Sequence, residues 1–274
     1  MPIQVPRSWA RQPQAIASAS NYAGGLVLLT DVSSGLVYDA ITGAPLAANI
    51  PPTITTGPLG IAVSSRNNGT PNYSVNASSQ LSKLNGATEF SICVVGDLYE
   101  RLPGNQSRPL YLDDGAGFTW STFLRVLSDR TATLQLSSGG FGPRVSCTFT
   151  IPIDATSLVC TWRAPNTFTA FSNGVQLATA LVLDEPCSAL NGIGTGLVYG
   201  TGYEFEICPQ TTLIAIASTR WRNAFDISVN PMRLFTPYKM AIPMPSAVQT
   251  MPVLSLAQMI NISTTGGQPR VTAT

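Results

Sequence analysis

The sequence predicts an all-β protein: an antiparallel sandwich of two sheets. Three observations predict it. Short apolar runs recur with alternating polarity, turn residues punctuate them, and no helical period lasts beyond one or two turns. The 23 Gly and 21 Pro supply the punctuation, and a hydrophobic content of 44% is ample for a core. About twelve to fourteen strands are expected at intervals of roughly 8–15 residues, the spacing of a sandwich.

The clearest stretch is residues 157–179. Leu158, Cys160 and Trp162 recur at the period of two that a half-buried strand requires. Ala164-Pro165-Asn166 breaks that run, because proline fixes φ and lacks the N–H a ladder needs. A second strand spans 167–172. Asn173-Gly174 then marks a type I′ turn, whose central residues both need φ > 0, and 175–180 is the return strand. This meander is expected to carry no chemistry.

The other elements follow in chain order. Residues 1–20 read as an arm interrupted by Pro2, Pro6 and Pro13, with Trp9 its only large anchor. Such a segment is either disordered or extended and ordered by a partner. Strands are expected at 25–29 and 35–39 about a turn at 31–34, with a further turn at 42–45. A loop at 51–58 precedes the apolar run 60–64, and the polar stretch 66–79 reads as an exposed loop. Residues 89–97 form a strand with Phe90, Ile92 and Val94 on one face, followed by a long connection at 101–109. Strands at 118–127, 131–136 and 144–153 lead into the meander. Those at 181–183, 196–199, 204–208 and 212–218 complete the sandwich, and 221–229 allows one or two helical turns before Asn230-Pro231. The organisation is an arm over 1–20, a sandwich over 21–240 and a tail over 241–274.

Composition narrows the functions. A net charge of +1 with 11% charged residues gives no basic cluster for nucleic acid or an anionic membrane. The low charge suits a surface packed against other proteins. The N-terminal stretch lacks the apolar core of a signal peptide and no apolar run spans a membrane, so use in a cytosol, or exit by another route, is expected. Five cysteines without a CxxC pair read as small buried hydrophobes. The chain has no histidine, which removes Ser-His-Asp and Cys-His nucleophiles and HExxH zinc sites. Gly192, Gly194 and Gly196 read as a turn. Asp113-Asp114, with Asn173 nearby, offers hard oxygen ligands for calcium, though a turn explains the pair better. Trp120 and Trp162 lie in strand patterns and read as core, leaving Trp221 and Tyr73 as looser sugar-stacking candidates. No cofactor, no metal and no catalysis are expected.

The tail is apolar and strand-forming. Val253, Leu254 and Leu256, then Ile260 and Ile262, lie beyond a spacer containing Pro237, Pro243, Pro245 and Pro252. Such a segment offers backbone groups that need a sheet edge. It folds back on its own sandwich or pairs with another subunit, the second being favoured by the low charge and the spacer. Trp9, Val253, Leu254, Leu256, Ile260 and Ile262 are therefore the expected partner-binding residues.

Two stretches carry a resemblance: ATEFSICVVG after Asn85-Gly86, and the hairpin at 170–175, AFSNGV. Both resemble the concanavalin A-like, or laminin-G-like, jelly roll. The block NPMRLFTP at 230–237, the opening Arg11-Gln12-Pro13-Gln14 and the closing PVLSLAQMINISTTGGQPRVTAT resemble proteins of tailed bacteriophages. The domain resemblance covers about residues 22–237 and rests on the order of its motifs. It implies a non-enzymatic structural protein of the virion, a minor capsid or decoration protein that stabilises the shell through its terminal segments. The implied partners are the major capsid protein and copies of the chain itself, as a dimer or trimer. The implied location is the virion capsid surface, after synthesis in the host bacterial cytoplasm. The alternative is a carbohydrate-binding module on tail or capsid that recognises a bacterial surface glycan. Glucan hydrolases on this fold would need paired carboxylates. Glu204 and Glu206 share a strand face about 6–7 Å apart, but Cys208 and Pro209 stand where a third carboxylate would follow, so the motif is broken.

Overall fold

Alternation along the strands builds two sheets and the layers that cover them. The structure is a computed structural model that describes residues 19–33, 36–48, 53–57, 60–64, 74–76, 79–98, 106–112, 122–137, 144–183, 186–193, 197–198, 211–235, 262–263 and 270–271. The first strands are β1 (Leu26–Ser33), β2 (Leu36–Asp39), β3 (Ala44–Pro45), β4 (Ala47–Ala48), β5 (Thr53–Gly57), β6 (Gly60–Ser64) and β7 (Ser74–Asn76). Then come β8 (Glu89–Gly96), β9 (Gln106–Leu112), β10 (Thr122–Leu127), β11 (Thr131–Ser137) and β12 (Arg144–Thr150). The meander supplies β13 (Ser157–Arg163), β14 (Thr167–Ser172) and β15 (Val175–Leu177). After it come β16 (Ala180–Leu183), β17 (Leu197–Val198), β18 (Thr211–Ala217) and a helix α1 (Ala224–Val229), with β19 (Ile262–Ser263) and β20 (Arg270–Val271) near the C-terminus.

Antiparallel pairing assembles these into a sandwich. One sheet of ten strands runs β15-β14-β13-β8-β18-β1-β2-β3, with the β5–β6 hairpin joined to β18. The other, of eight strands, runs β16-β12-β11-β10-β9-β17-β7-β4. The chain forms two compact units, Met1–Pro237 and Tyr238–Thr274. Within the second, β19 and β20 pair as a hairpin, Ile262 opposite Val271.

The main core lies between the sheets. Phe90, Ile92, Val94, Leu158, Cys160 and Trp162 enter it from the first sheet, and Leu124, Val126, Leu134, Val145 and Cys147 from the second. The first sheet carries a second apolar layer on its outer face. Leu29, Cys93, Val159, Leu213 and Ala215 lie there with Trp221, Ala224, Ile227, Leu234 and Phe235 of the α1 region. Burial on both faces explains why β8, β13 and β18 read as near-continuous apolar runs (SICVV, SLVC, TLIAIA) rather than alternating ones. Residues 19–22 are pinned to this cap. The Tyr22 hydroxyl donates to Asp226 Oδ2 at 2.9 Å and accepts from Arg233 Nη1 at 2.6 Å, and Ser20 Oγ donates to the Arg233 carbonyl.

Several elements differ from the expectation. Asp31 is not a turn residue: β1 runs unbroken to Ser33. The expected loop at 51–58 contains β5, which pairs with β6 from Thr53↔Ser64 to Gly57↔Gly60. The polar loop at 66–79 contains β7, paired with β17 and β4. The expected connection at 101–109 includes the start of β9, with Pro109 inside the strand. A register shift opposite it, between Leu124 and Val126 of β10, accommodates a residue that cannot donate. A 3₁₀ helix at Ser79–Leu84 was not expected; its Leu81 and Leu84, eclipsed at i and i+3, are fully buried. The return strand of the meander stops at Leu177, and Ala178-Thr179 carries the chain across to the other sheet as β16.

Cys93, Cys147, Cys160 and Cys187 are free and buried, and Cys208 lies outside the described residues. Burial pushes the Cys147 thiol from 9.0 up to about 11, and moves Cys93, Cys160 and Cys187 in the same direction. The unfolded chain therefore releases these protons first. The stability so linked is whole below pH 9.0, and falls as pH climbs from there through about 11. Denaturant midpoints measured between pH 7 and pH 10.5 should decrease above pH 9, and a thiol reagent at pH 8 should label the native protein far more slowly than the unfolded chain. Truncating Trp162, fully buried in the main core, should cost about 3–5 kcal/mol in urea unfolding. Ile153→Ala, at a side chain 70% exposed, should stay within about 0.5 kcal/mol of wild type.

Candidate functional site

The inward residues of β13 decide what its outer face presents. Leu158, Cys160 and Trp162 point into the core, so Val159, Thr161 and Arg163 point outward. Register places Glu89 and Thr167 beside Arg163, Ser91 and Thr169 beside Thr161, and Cys93 and Phe171 beside Val159. The outer face thus divides along the strands. The Cys93–Val159 end is apolar and covered by the α1 region. At the other end Arg163 and Thr167 are exposed, Glu89 and Thr169 half-buried, and Thr161 is buried.

The segment between β18 and α1 marks the boundary. Ser91 Oγ donates to the Thr219 carbonyl at 2.7 Å and accepts from the Trp221 N–H at 2.9 Å. The Arg220 N–H donates to Glu89 Oε2 at 3.0 Å. Its side-chain Nε donates to Thr161 Oγ1 at 3.4 Å, and that hydroxyl shares a 2.6 Å hydrogen bond with Thr169 Oγ1. Arg220 is therefore aimed across β13 by a chain of two threonines. Among the described residues its terminal nitrogens, like the guanidinium of Arg163, find no partner. The guanidinium groups of Arg163 and Arg220, the hydroxyls of Thr167 and Thr169 and the Glu89 carboxylate offer the donors and acceptors that grip hydroxyl pairs and anions. The described residues hold no group of three His, Cys, Asp or Glu able to bind a metal.

The expected site residues lie elsewhere. Trp9, Val253, Leu254, Leu256 and Ile260 fall outside the described residues, and Ile262 is placed only as a member of the β19–β20 hairpin. Asp113, Asp114, Tyr73, Trp120, Glu204 and Glu206 also fall outside them. Trp221 is not a stacking platform: it is 4% exposed in the outer apolar layer and its indole N–H donates to the Gly24 carbonyl at 3.1 Å. Asn173 is no free cation ligand. Its Oδ1 accepts from the backbone N–H groups of Thr156 and Ser157 at 3.4 and 3.1 Å, and from both their hydroxyls at 3.2 Å.

Sequence reading passed over Thr161, Arg163, Thr167 and Thr169. The signal was present in the meander: once the inward positions are assigned, the intervening residues read Thr-x-Arg and Thr-x-Thr. The part played by Arg220 had no local signal, because it arises from a segment about 60 residues downstream folding over β8 and β13.

No family model and no curated protein matches the chain. Solved structures with the same sandwich do. The binding domain of botulinum neurotoxin serotype C1 aligns with a TM-score of 0.53 at 12% identity, over 76% of this chain and 52% of that one. The binding domain of Paraclostridial Mosquitocidal Protein 1 aligns with a TM-score of 0.52 at 12% identity, over 74% and 51%. A structure concerned with botulinum neurotoxin type C entry aligns with a TM-score of 0.54 at 11% identity, over 76% and 51%. The chain spans about half the length of the solved structures it matches. At such identity the likeness establishes the β-sandwich fold.

Proposed function

We propose that this chain is a non-catalytic recognition module that holds a surface glycan on the open polar end of its ten-stranded sheet. The observation that carries this reading is the Thr169–Thr161–Arg220 chain beside Arg163, an oriented set of donors with unused guanidinium nitrogens. The shared sandwich supports it. One neighbouring structure describes entry of botulinum neurotoxin type C as dependent upon interaction with two ganglioside molecules, and another is a binding domain in complex with SialylT. The mechanism is positional. Fixed hydroxyls and forked guanidinium groups match vicinal hydroxyls and carboxylates at little entropic cost.

A second reading keeps the chain as a structural protein of a tailed-phage virion, attached to the major capsid protein through its arm and tail. It is favoured by the separate compact unit at Tyr238–Thr274 with its β19–β20 hairpin, and by the phage-like blocks at 230–237 and at both termini. The readings are compatible, since a capsid-surface module can bind glycan.

A glycan array carrying sialylated, sulfated and neutral oligosaccharides tests the first reading. The wild-type chain should bind a subset, and Arg163→Ala/Arg220→Ala should weaken that binding about tenfold or more while leaving the melting temperature nearly unchanged. Equal binding by the double variant would move the site away from this face. Co-sedimentation with phage heads and tails tests the second. Saturable binding to heads that is lost on removal of residues 244–274 supports attachment through the tail, and binding that persists without them contradicts it.

A further inference from the structure

We infer that the β15–β16 side of the sandwich is the surface through which two copies of this chain associate, continuing both sheets about a two-fold axis. β15 ends the ten-stranded sheet and β16 ends the eight-stranded sheet. Only Ala178 and Thr179 separate them, so both edges lie on one side of the molecule. Among the described residues no strand pairs with the outer edge of either. In the two-residue hairpin Ser172↔Val175 is the closing hydrogen-bonded pair, so Gln176, opposite Phe171, turns its N–H and carbonyl outward. An open row of such groups recruits another strand.

The side chains point the same way. Leu181 lies in register with Cys147, which is 1% exposed in the core, yet Leu181 is 44% exposed. The core seam is therefore open between the two edges. Val175, on the inner face of β15, is 57% exposed at the same seam, and on the outer face of that sheet Phe225 and Val229 are 49% and 43% exposed, with Phe225 set edge-on against Phe171. Natural edges are blunted by lysine, proline, a bulge or an inward charge. The run 175–183, VQLATALVL, carries no charge and no proline.

A second copy fits better than a lone peptide strand. A peptide covers one edge and leaves Leu181 open. A second copy presents the same two edges at the same sheet spacing, so a two-fold axis normal to the sheets matches β15 with β15 and β16 with β16, antiparallel in each. The uncharged run then opposes itself without like-charge repulsion, and a net charge of +1 opposes association little. None of this depends on which ligand the polar face takes.

The test is light scattering and sedimentation on the full chain from about 1 to 100 μM, with Val175→Lys and Leu181→Lys, both at exposed side chains, alongside. Wild type should reach twice the monomer mass, and each lysine should weaken the dimer about tenfold or more. Hydrogen exchange of the Gln176 amide supplies a readout in the unaltered protein: it should slow as concentration rises through the dimerisation range. A wild-type chain that stays monomeric overturns the inference. So does a dimer indifferent to both lysines, or a Gln176 amide whose exchange ignores concentration.

Discussion

Double burial of β8, β13 and β18 is the constraint on which the rest of the molecule depends. Their inner side chains, among them Phe90, Trp162 and Ile214, close the core between the sheets. Their outer ones, Cys93, Val159 and Leu213, must also leave water, and a short helical segment does that work for only part of the face. Where the cover ends the strands turn polar within one side-chain row, from Val159 to Thr161 to Arg163. The polar face proposed for binding is the remainder left by an incomplete cap.

The cap itself is held by polar contacts rather than by helix length. α1 has six residues, too few to be stable alone. Ser91 receives the Trp221 N–H, Gly174 donates to Ser228 Oγ at 3.0 Å, and Tyr22 bridges Asp226 and Arg233. Gly174 shows how close this packing is: φ is +78°, and a Cβ there would lie 2.6 Å from the Val229 side chain. The same contacts place Phe225 and Val229 beside the Asn173-Gly174 turn that leads into the β15 edge.

Much of this was legible in the sequence, and the failures have physical causes. The meander, with its Asn173-Gly174 turn at φ +48° and +78°, follows from period and turn chemistry alone. The one or two helical turns expected within 221–229 form as α1 at Ala224–Val229. β5, β7 and the start of β9 escaped because their short, Thr-, Ser-, Asn- and Gln-containing sequences (TITTG, SVN, QSR) carry no apolar period, and they pair through backbone groups. β1 was cut short because Asp31, a common turn residue, is buried inside a strand. The candidate face escaped for a different reason. It is assembled from β8, β13, β14 and the segment after β18, and only tertiary register brings Arg220 to Thr161. Most of the expected partner-binding residues lie in terminal segments outside the described residues, so their role rests on sequence alone.

The most direct measurement is an NMR titration of arginine-labelled protein, following the side-chain Nε–H signals as a sialylated oligosaccharide is added. Arg220, held on Thr161, and Arg163, which has no partner among the described residues, should shift together and saturate at one affinity, with Arg233, committed to Tyr22, unmoved. Saturable shifts confined to other arginines, with Arg163 and Arg220 silent, would contradict the assignment of the polar face as the binding surface.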